Sequence, residues 1–385
     1  MNRRPEGRAK VAVVQSWLTP YRLPFYELLR HELSDRSIDL SVVYGQADGE
    51  ERAKRAPTTL HWGHYRANRY VRLGAKELSW QPCLSLLRDV DMVIVEQALK
   101  RLLNLVLVAR QGTCGPQVAF WGHGKNFQGH RASPIAEKLK RQLSRRAHWW
   151  FAYNEMSAQA VEALPYPRSR ITVVNNAIDT RGLRSAGESV REEQVASLVS
   201  RLGIRSGNVA LFVGGMYADK RLAFLIESCD RIRATVRDFE IIFVGDGPDA
   251  GLLQAAARSR PWIHLEGARF GTELAPYFAL GRVLLIPGMV GLAVLDSFSL
   301  GVPLVTCDLP YHSPEIGYLE PGVNGVVVDD AEDPARYASA VVDLLIRPDT
   351  RARMVAQCRR AASSYTVESM AERFAEGVEQ ALRAS

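Results

Sequence analysis

Five cysteines, Cys83, Cys114, Cys229, Cys307 and Cys358, are scattered through the chain with no CxxC or CxH spacing. That pattern encodes neither a zinc site nor a disulfide framework, and all five read as free thiols in a reducing compartment. Long apolar runs are missing too: nothing approaches the ~20 residues that a membrane helix needs. The opening MNRRPEGRAK leads straight into the buried-strand pattern VAVVQ rather than into a signal-peptide core, so a cytoplasmic protein is expected. What remains, 385 residues at 47% hydrophobic and 24% charged, is a folded chain too long for one ordinary core. It fits two α/β domains.

The formal charge of +7 is unevenly spread. Residues 1–185 hold 29 Lys and Arg against 16 Asp and Glu, leaving 20 against 26 in the remainder. A basic first half joined to an acidic second half points to an anionic surface or substrate for the first. The densest basic segment is EKLKRQLSRRAHWWF, residues 137–151, read as a helix ending in Trp149, Trp150 and Phe151. Lys and Arg beside interfacial Trp suit peripheral contact with anionic lipid at the inner face of the plasma membrane. The alternative is a solvated helix leading into a buried strand. Nucleic acid is not expected as a partner, because no recognition motif accompanies the charge.

Apolar runs and helix-spaced segments alternate. Strands are expected at 11–15, 38–45, 90–97, 117–124, 148–154 and 171–179, with helices after the first and over 99–110. A polar, helix-compatible linker over about 180–204 follows. The pattern then restarts with strands at 209–215, 239–247, 263–267, 282–288, 303–308 and 325–328 and helices at 220–235, 249–258 and 291–300. Nearly continuous apolar strands with helices between them indicate mostly parallel sheets covered on both faces. The predicted fold class is α/β, two successive Rossmann-like domains with a cleft between them. Ligands of such sheets bind beyond the carboxyl ends of the strands, where VGG, GDG, PG and CD all fall. The closing YTVESMAERFAEGVEQALRA is an amphipathic helix suited to pack back on the first domain.

Several segments occur in a telling order: NNAID (175–179), FVGG followed by Lys220, FVGDGP (243–248), PGMVGLAVLDSFSLGVP (287–303), and Glu315 ahead of GYLEPGVNGVVV (317–328). Together they resemble the retaining GT-B glycosyltransferases of family 4, the glycosyl transferases group 1, over essentially the whole chain. The resemblance implies an acceptor-binding domain over 1–185, a nucleotide-sugar domain over 186–365 and a helix over 366–385 crossing back. It implies that Gly288 and Gly291, with the backbone of Met289, Val290 and Leu292, precede a helix whose amides cradle the donor pyrophosphate. Gly215 and Gly245 fall in the same nucleotide site, and Lys220 supplies a compact cation for phosphate. Asp296 stands where the family has the second glutamate of its E-x7-E motif, resembling a ribose ligand. The first glutamate would fall at Gly288 and is absent, and the arginine after the strand glycine is replaced by Gly215. Arg269, His312 and Arg22 are the other candidates for that charge. His123, in FWGHG, resembles the histidine that faces the donor sugar near its anomeric carbon, and Glu315 lies where a carboxylate or its neighbouring amides meet the donor. Glu315 as a helix cap is the structural alternative. Glu96, Asn176 and the first loop, with Gln15, Tyr21 and Arg22, are candidate acceptor contacts, and Asn154 resembles a cleft-lining position.

The expected activity is transfer of a sugar from a UDP- or GDP-sugar to a hydroxyl with retention, in cell-surface polysaccharide or glycolipid synthesis. His123, Lys220 and Asp296 would carry it. No DxD-type motif lies at a strand end, so neither a metal nor a cofactor is implied. The acceptor reads as a glycan, a lipid-linked glycan or a small molecule. The alternatives are a natural-product glycosyltransferase, a pseudoglycosyltransferase, and a non-catalytic sugar-nucleotide-binding protein.

Overall fold

The computed structural model describes residues 7–47, 58–73, 76–124 and 134–384. Two compact units result, one running to Asn176 and resuming at Val367, the other spanning Ala177–Thr366.

In the first unit the strands are β1 (Ala9–Gln15), β2 (Ile38–Tyr44), β3 (His64–Tyr65), β4 (Arg69–Leu73), β5 (Lys76–Trp80), β6 (Met92–Glu96), β7 (Gln117–Gly122), β8 (Trp149–Ala152) and β9 (Ile171–Val173). Seven of them form a parallel sheet in the order β3-β2-β1-β6-β7-β8-β9, while β4 and β5 pair as an antiparallel hairpin. The apolar runs are buried on both faces: Val11, Ala12, Val13, Met92, Val93, Ile94, Val118, Ala119 and Phe120 are at most 1% exposed. Burial of each such large aliphatic side chain contributes about 1.5–3 kcal/mol, which fixes the strands in the middle layer. The helix Val367–Arg383 packs on the helix Leu23–Asp35. Phe374 anchors it, stacked on Phe151 at 4.1 Å and edge-on to Phe25 at 5.3 Å.

The second unit repeats the plan with β10 (Val209–Val213), β11 (Glu240–Val244), β12 (Ile263–Glu266), β13 (Val283–Leu285), β14 (Leu304–Cys307) and β15 (Gly325–Val328). They form a parallel sheet in the order β12-β11-β10-β13-β14-β15. In each sheet the winding reverses once, between β1 and β6 and between β10 and β13. A crevice opens at such a switch point beyond the strand ends, which is where ligands of open α/β sheets bind.

Three expectations change. Residues 180–204 are not a linker but the helices Thr180–Glu188 and Glu192–Leu202, packed on the second unit through buried Thr180, Leu183 and Leu198. The boundary therefore falls at Asn176/Ala177 instead of 185/186. Asn154 serves as an N-cap, its side chain accepting from the Ser157 amide at 3.1 Å to start the helix Glu155–Glu162. Trp149, Trp150 and Phe151 form β8 and are at most 3% exposed, so they cannot insert into a membrane interface. Continuous apolar sequence serves a buried parallel strand as well as an interfacial anchor, and only packing separates the two.

Candidate functional site

At the switch point of the second sheet, three chain segments meet. After β10 the chain passes Gly214 and Gly215 into a short 3-10 turn, Ala218–Lys220. After β13 it enters the Pro287–Leu292 turn, which opens the helix Ala293–Leu300. After β14 comes the loop carrying His312 and Ser313.

Gly288 is pressed against the first of these: a Cβ there would lie 2.1 Å from the Asp219 carbonyl oxygen and 2.5 Å from Lys220 Cα. No side chain fits, so a glutamate cannot occupy this position in this backbone. The Met289 amide donates to the Asp219 carbonyl at 2.7 Å, and the Lys220 ammonium donates to the Met289 carbonyl. The Val290 amide donates to His312 Nδ1 at 3.0 Å, so the proton of this imidazole sits on Nε2, which donates to the Cys307 carbonyl at 2.8 Å. Burial lowers the His312 pKa below its ordinary value, so the ring is neutral and does not supply a cation. The Val290 carbonyl in turn accepts from the Ser313 amide at 2.9 Å.

These bonds correct one part of the expected cradle. The amides of Met289 and Val290 are spent in holding the turn. Where the helix begins, the amides of Gly291, Leu292 and Ala293 have no intramolecular acceptor among the described residues, and neither does that of Gly288 earlier in the turn. The three at the helix start form a small cluster of donors at its positive end. Beside them Lys220 is only 6% exposed, and burial pulls its pKa from 10.5 down to about 8, with Asp219 opposing. Asp296, one turn into the helix and half-buried, has its pKa raised by desolvation to about 7. No side-chain hydrogen bond to Asp296 occurs among the described residues. Glu315 is buried in the 3-10 turn Pro314–Tyr318.

Gly215 and Gly245 belong to the neighbouring loops. Gly245, at φ +154°, lies so close to the β10 loop that a Cβ would be 1.9 Å from the Gly214 carbonyl oxygen. A Cβ on Gly215 would be 2.8 Å from the Tyr217 ring. The geometry gives both glycines a packing role: they let the β10 and β11 loops bond through Gly214 N–H to the Val244 carbonyl and Met216 N–H to the Asp246 carbonyl. Arg269 lies 3.7 Å from Glu266, in an ion-pair group with Arg201.

The first unit has its own cavity at the β1–β6 switch point, with a volume of about 120 Å³. Gln15 at the end of β1, Glu96 at the end of β6, Trp121 in β7 and Tyr153 after β8 line it, with Trp17 and Tyr21 from the first loop. Arg22 is buried there, its guanidinium 4.8 Å from the Trp121 ring centre and 5.2 Å from that of Tyr21. Glu96 pairs with Arg101 at 2.7 Å. His123, half-buried just past β7, meets the edge of Tyr153 at 4.4 Å. Trp121 and Tyr153 were missed in the sequence, although each stands at the end of an apolar strand where such sheets expose their binding residues.

The basic helix is Pro134–Arg145, with Lys138, Arg141 and Arg145 exposed and Arg146 exposed beyond it. His130, a weaker candidate in the sequence than His123, lies outside the described residues. Among the described residues, no helix is long and apolar enough to cross a membrane, and no group of three or more His, Cys, Asp or Glu is spaced to hold a metal.

Residues 207–347 match the family model described as glycosyl transferases group 1. Among curated proteins, the chain is 28% identical over 169 residues to the alpha-D-kanosaminyltransferase of Streptomyces kanamyceticus, covering 42% of this chain and 43% of that protein. It is 22% identical over 218 residues to the alpha-monoglucosyldiacylglycerol synthase of Acholeplasma laidlawii, covering 55% and 53%. The chain thus spans about half the length of the curated relatives it matches. Among solved structures, HepE from Anabaena in complex with UDP-glucose superposes with a TM-score of 0.70 at 15% identity, covering 96% of this chain and 99% of that one. That likeness establishes the fold alone, GT-B with two Rossmann-like domains. Residues 207–347 thus match the family model of the glycosyl transferases group 1, within a chain of GT-B fold.

Proposed function

We propose that this protein transfers a sugar from a nucleotide-sugar donor to a hydroxyl acceptor with retention at the anomeric carbon. The observation that carries the reading is the turn from Gly288 to Leu292. It is held rigid by Asp219, Lys220, His312 and Ser313, and it leaves the amides of Gly291, Leu292 and Ala293 open beside a buried ammonium. Open amides at a helix start, joined to a desolvated cation, suit a diphosphate. Preorganised donors of this kind stabilise charge as it develops on a leaving group. In the reaction, the bond from the anomeric carbon to the phosphate oxygen breaks and a bond to the acceptor oxygen forms on the same face. The acceptor proton passes to the departing phosphate, whose charge the amides and Lys220 hold. Asp296 is suited to a ribose hydroxyl and His123 to a hydroxyl of the transferred sugar.

Of UDP and GDP donors, the UDP-glucose complex of HepE favours UDP. A lipid-linked or glycolipid acceptor has support from the diacylglycerol-glucoside relative and from the exposed basic face of Lys138, Arg141, Arg145 and Arg146.

Calorimetric titration with UDP, GDP, ADP and dTDP, followed by hydrolysis of the matching nucleotide sugars without acceptor, tests the reading. Selective binding of one nucleotide with slow release of its sugar is expected. Binding without any sugar release would favour a non-catalytic sugar-nucleotide-binding protein, which the missing glutamate at Gly288 also favours. No binding to any of the four would overturn both.

A further inference from the structure

Two residues of the Gly288–Leu292 turn are gripped at both their amide and their carbonyl. Met289 is tied to the loop after β10: its amide donates to the Asp219 carbonyl at 2.7 Å, and its carbonyl accepts from the Lys220 ammonium. Val290, fully buried, is tied to the loop after β14. Its amide donates to His312 Nδ1 at 3.0 Å, and its carbonyl accepts from the Ser313 amide at 2.9 Å. Three of these four bonds keep their sense on acidification, because a backbone carbonyl accepts while a backbone amide and an ammonium donate. The fourth can reverse. An imidazole nitrogen accepts only while it carries no proton.

Both ring nitrogens are occupied by backbone groups. Nε2–H is given to the Cys307 carbonyl at 2.8 Å, so an added proton goes to Nδ1 and sets a donor against the Val290 donor. With His312 only 6% exposed, neither hydrogen has an easy alternative partner. Burial is the strongest influence on the ring and lowers its pKa below the ordinary 6.5. The Cys307 carbonyl raises it, the Lys220 ammonium from the loop after β10 lowers it, and the Asp308 carboxylate just past β14 raises it. Cys307 and Tyr311 stay neutral in this range, their pKa values raised by burial, and Glu315 is buried in the 3-10 turn that follows. The Val290 carbonyl and the Gly291 amide share one peptide group, so a displaced Val290 misaligns the open amides that begin there.

We propose that His312 is a positioning residue: it aligns the open amides of Gly291, Leu292 and Ala293 only while its Nδ1 is unprotonated, so that acid releases a bound nucleotide. That these amides hold a nucleotide rests on the glycosyl-transfer reading above, whereas the clip on Val290 does not. The same ring makes the fold acid-sensitive. Its folded pKa is depressed, so the unfolded chain takes the proton first, and stability is lost as pH falls from 6.5 through the folded value.

NMR of the isotope-labelled full chain reads the His312 ring nitrogens and the Val290 amide from neutral pH downward, and calorimetry reads UDP affinity over the same range. At neutral pH the ring should carry its proton on Nε2, and the Val290 signal should shift where Nδ1 takes a proton. His312→Gln is the reference, because its amide oxygen can accept from Val290, its amide nitrogen can donate to Cys307, and it does not titrate. Comparison with it at each pH cancels the titration of UDP, Asp296 and Lys220. Relative to His312→Gln, wild-type affinity should bend at the pKa of the ring and fall about tenfold per pH unit below it, in step with the neutral fraction. His312→Leu, with neither polar group, should bind UDP about tenfold more weakly than wild type at neutral pH. A proton on Nδ1 at neutral pH, a Val290 signal indifferent to ring protonation, or a relative affinity with no bend would overturn the proposal. So would affinity that rises on acidification, which would make the ring a cation facing the phosphates. If the wild type unfolds before the ring titrates, the acid midpoints decide, and His312→Gln must stay folded to lower pH. UDP binding that never bends would leave the nucleotide reading standing. No UDP binding at any pH would sink that reading, while the Val290 signal still decides the clip.

Discussion

Replacing Lys220 with methionine should make the protein more stable and less able to bind nucleotide. The lysine is 6% exposed, and burial lowers its pKa from 10.5 to about 8. At neutral pH the folded state therefore holds a charge against its environment, at a cost of about 3 kcal/mol. The folded pKa is depressed below the unfolded one. The penalty is thus full below about pH 8, shrinks between about 8 and 10.5, and is gone above that. Methionine has a similar length and no charge, but it abandons the bond to the Met289 carbonyl, worth about 1 kcal/mol or more. The net expectation is a gain of about 1–2 kcal/mol near pH 6.5 that vanishes or reverses near pH 10.5. UDP affinity should fall by about 10–100-fold with the loss of a charge-assisted contact. For the wild type it should decline as pH rises through about 8, where the free ammonium loses its proton. Urea transitions at the two pH values and calorimetric titration with UDP measure both effects. A variant less stable than wild type near pH 6.5, or one that binds UDP equally well, would refute the reasoning.

Asp296→Asn addresses the opposite shift. Its folded pKa, raised to about 7, makes the protein lose stability as pH climbs from about 4 through 7. The variant should flatten that slope and gain about 1–2 kcal/mol near pH 8, discounted for its partial exposure. Identical slopes in melting temperature against pH would count against it. Gly288→Ala should cost about 1–3 kcal/mol, because the new methyl group collides with the Asp219 carbonyl, and an unchanged melting temperature would show the contact to be relaxed. His123→Ala should lower kcat by about tenfold or more with little change in UDP affinity, whereas equal turnover would remove the ring from the reacting carbon. Neutralising Lys138, Lys140, Arg141, Arg145 and Arg146 should reduce cosedimentation with anionic vesicles, as added salt should. A wild-type protein that never pellets with them would end the membrane reading.

The sheets were legible in the sequence because buried parallel strands must be apolar on both faces. Runs such as VAVVQ, VDMVIVEQ and FEIIFVGDG admit few other structures, and their restart near residue 209 announced a second sheet. Gly288, Gly291 and Lys220 could also be singled out, since a turn before a helix and a nearby lysine are local features. Tertiary structure alone decided which groups remain available. The Val290 amide is consumed by an imidazole 22 residues away, and the Met289 carbonyl by an ammonium 69 residues away. The open amides at the helix start are consequently those of Gly291, Leu292 and Ala293, not of Met289 and Val290. In the same way, HWWF read equally as an anchor or a strand until Phe374, more than 220 residues later, stacked on Phe151. The cavity lined by Trp121 appears only once the loop after β1 and the ends of β6, β7 and β8 lie side by side. Periodicity records which face of an element meets the core, a property of neighbours in sequence. Hydrogen-bond partners and cavities depend on which distant segments the sheet order places together.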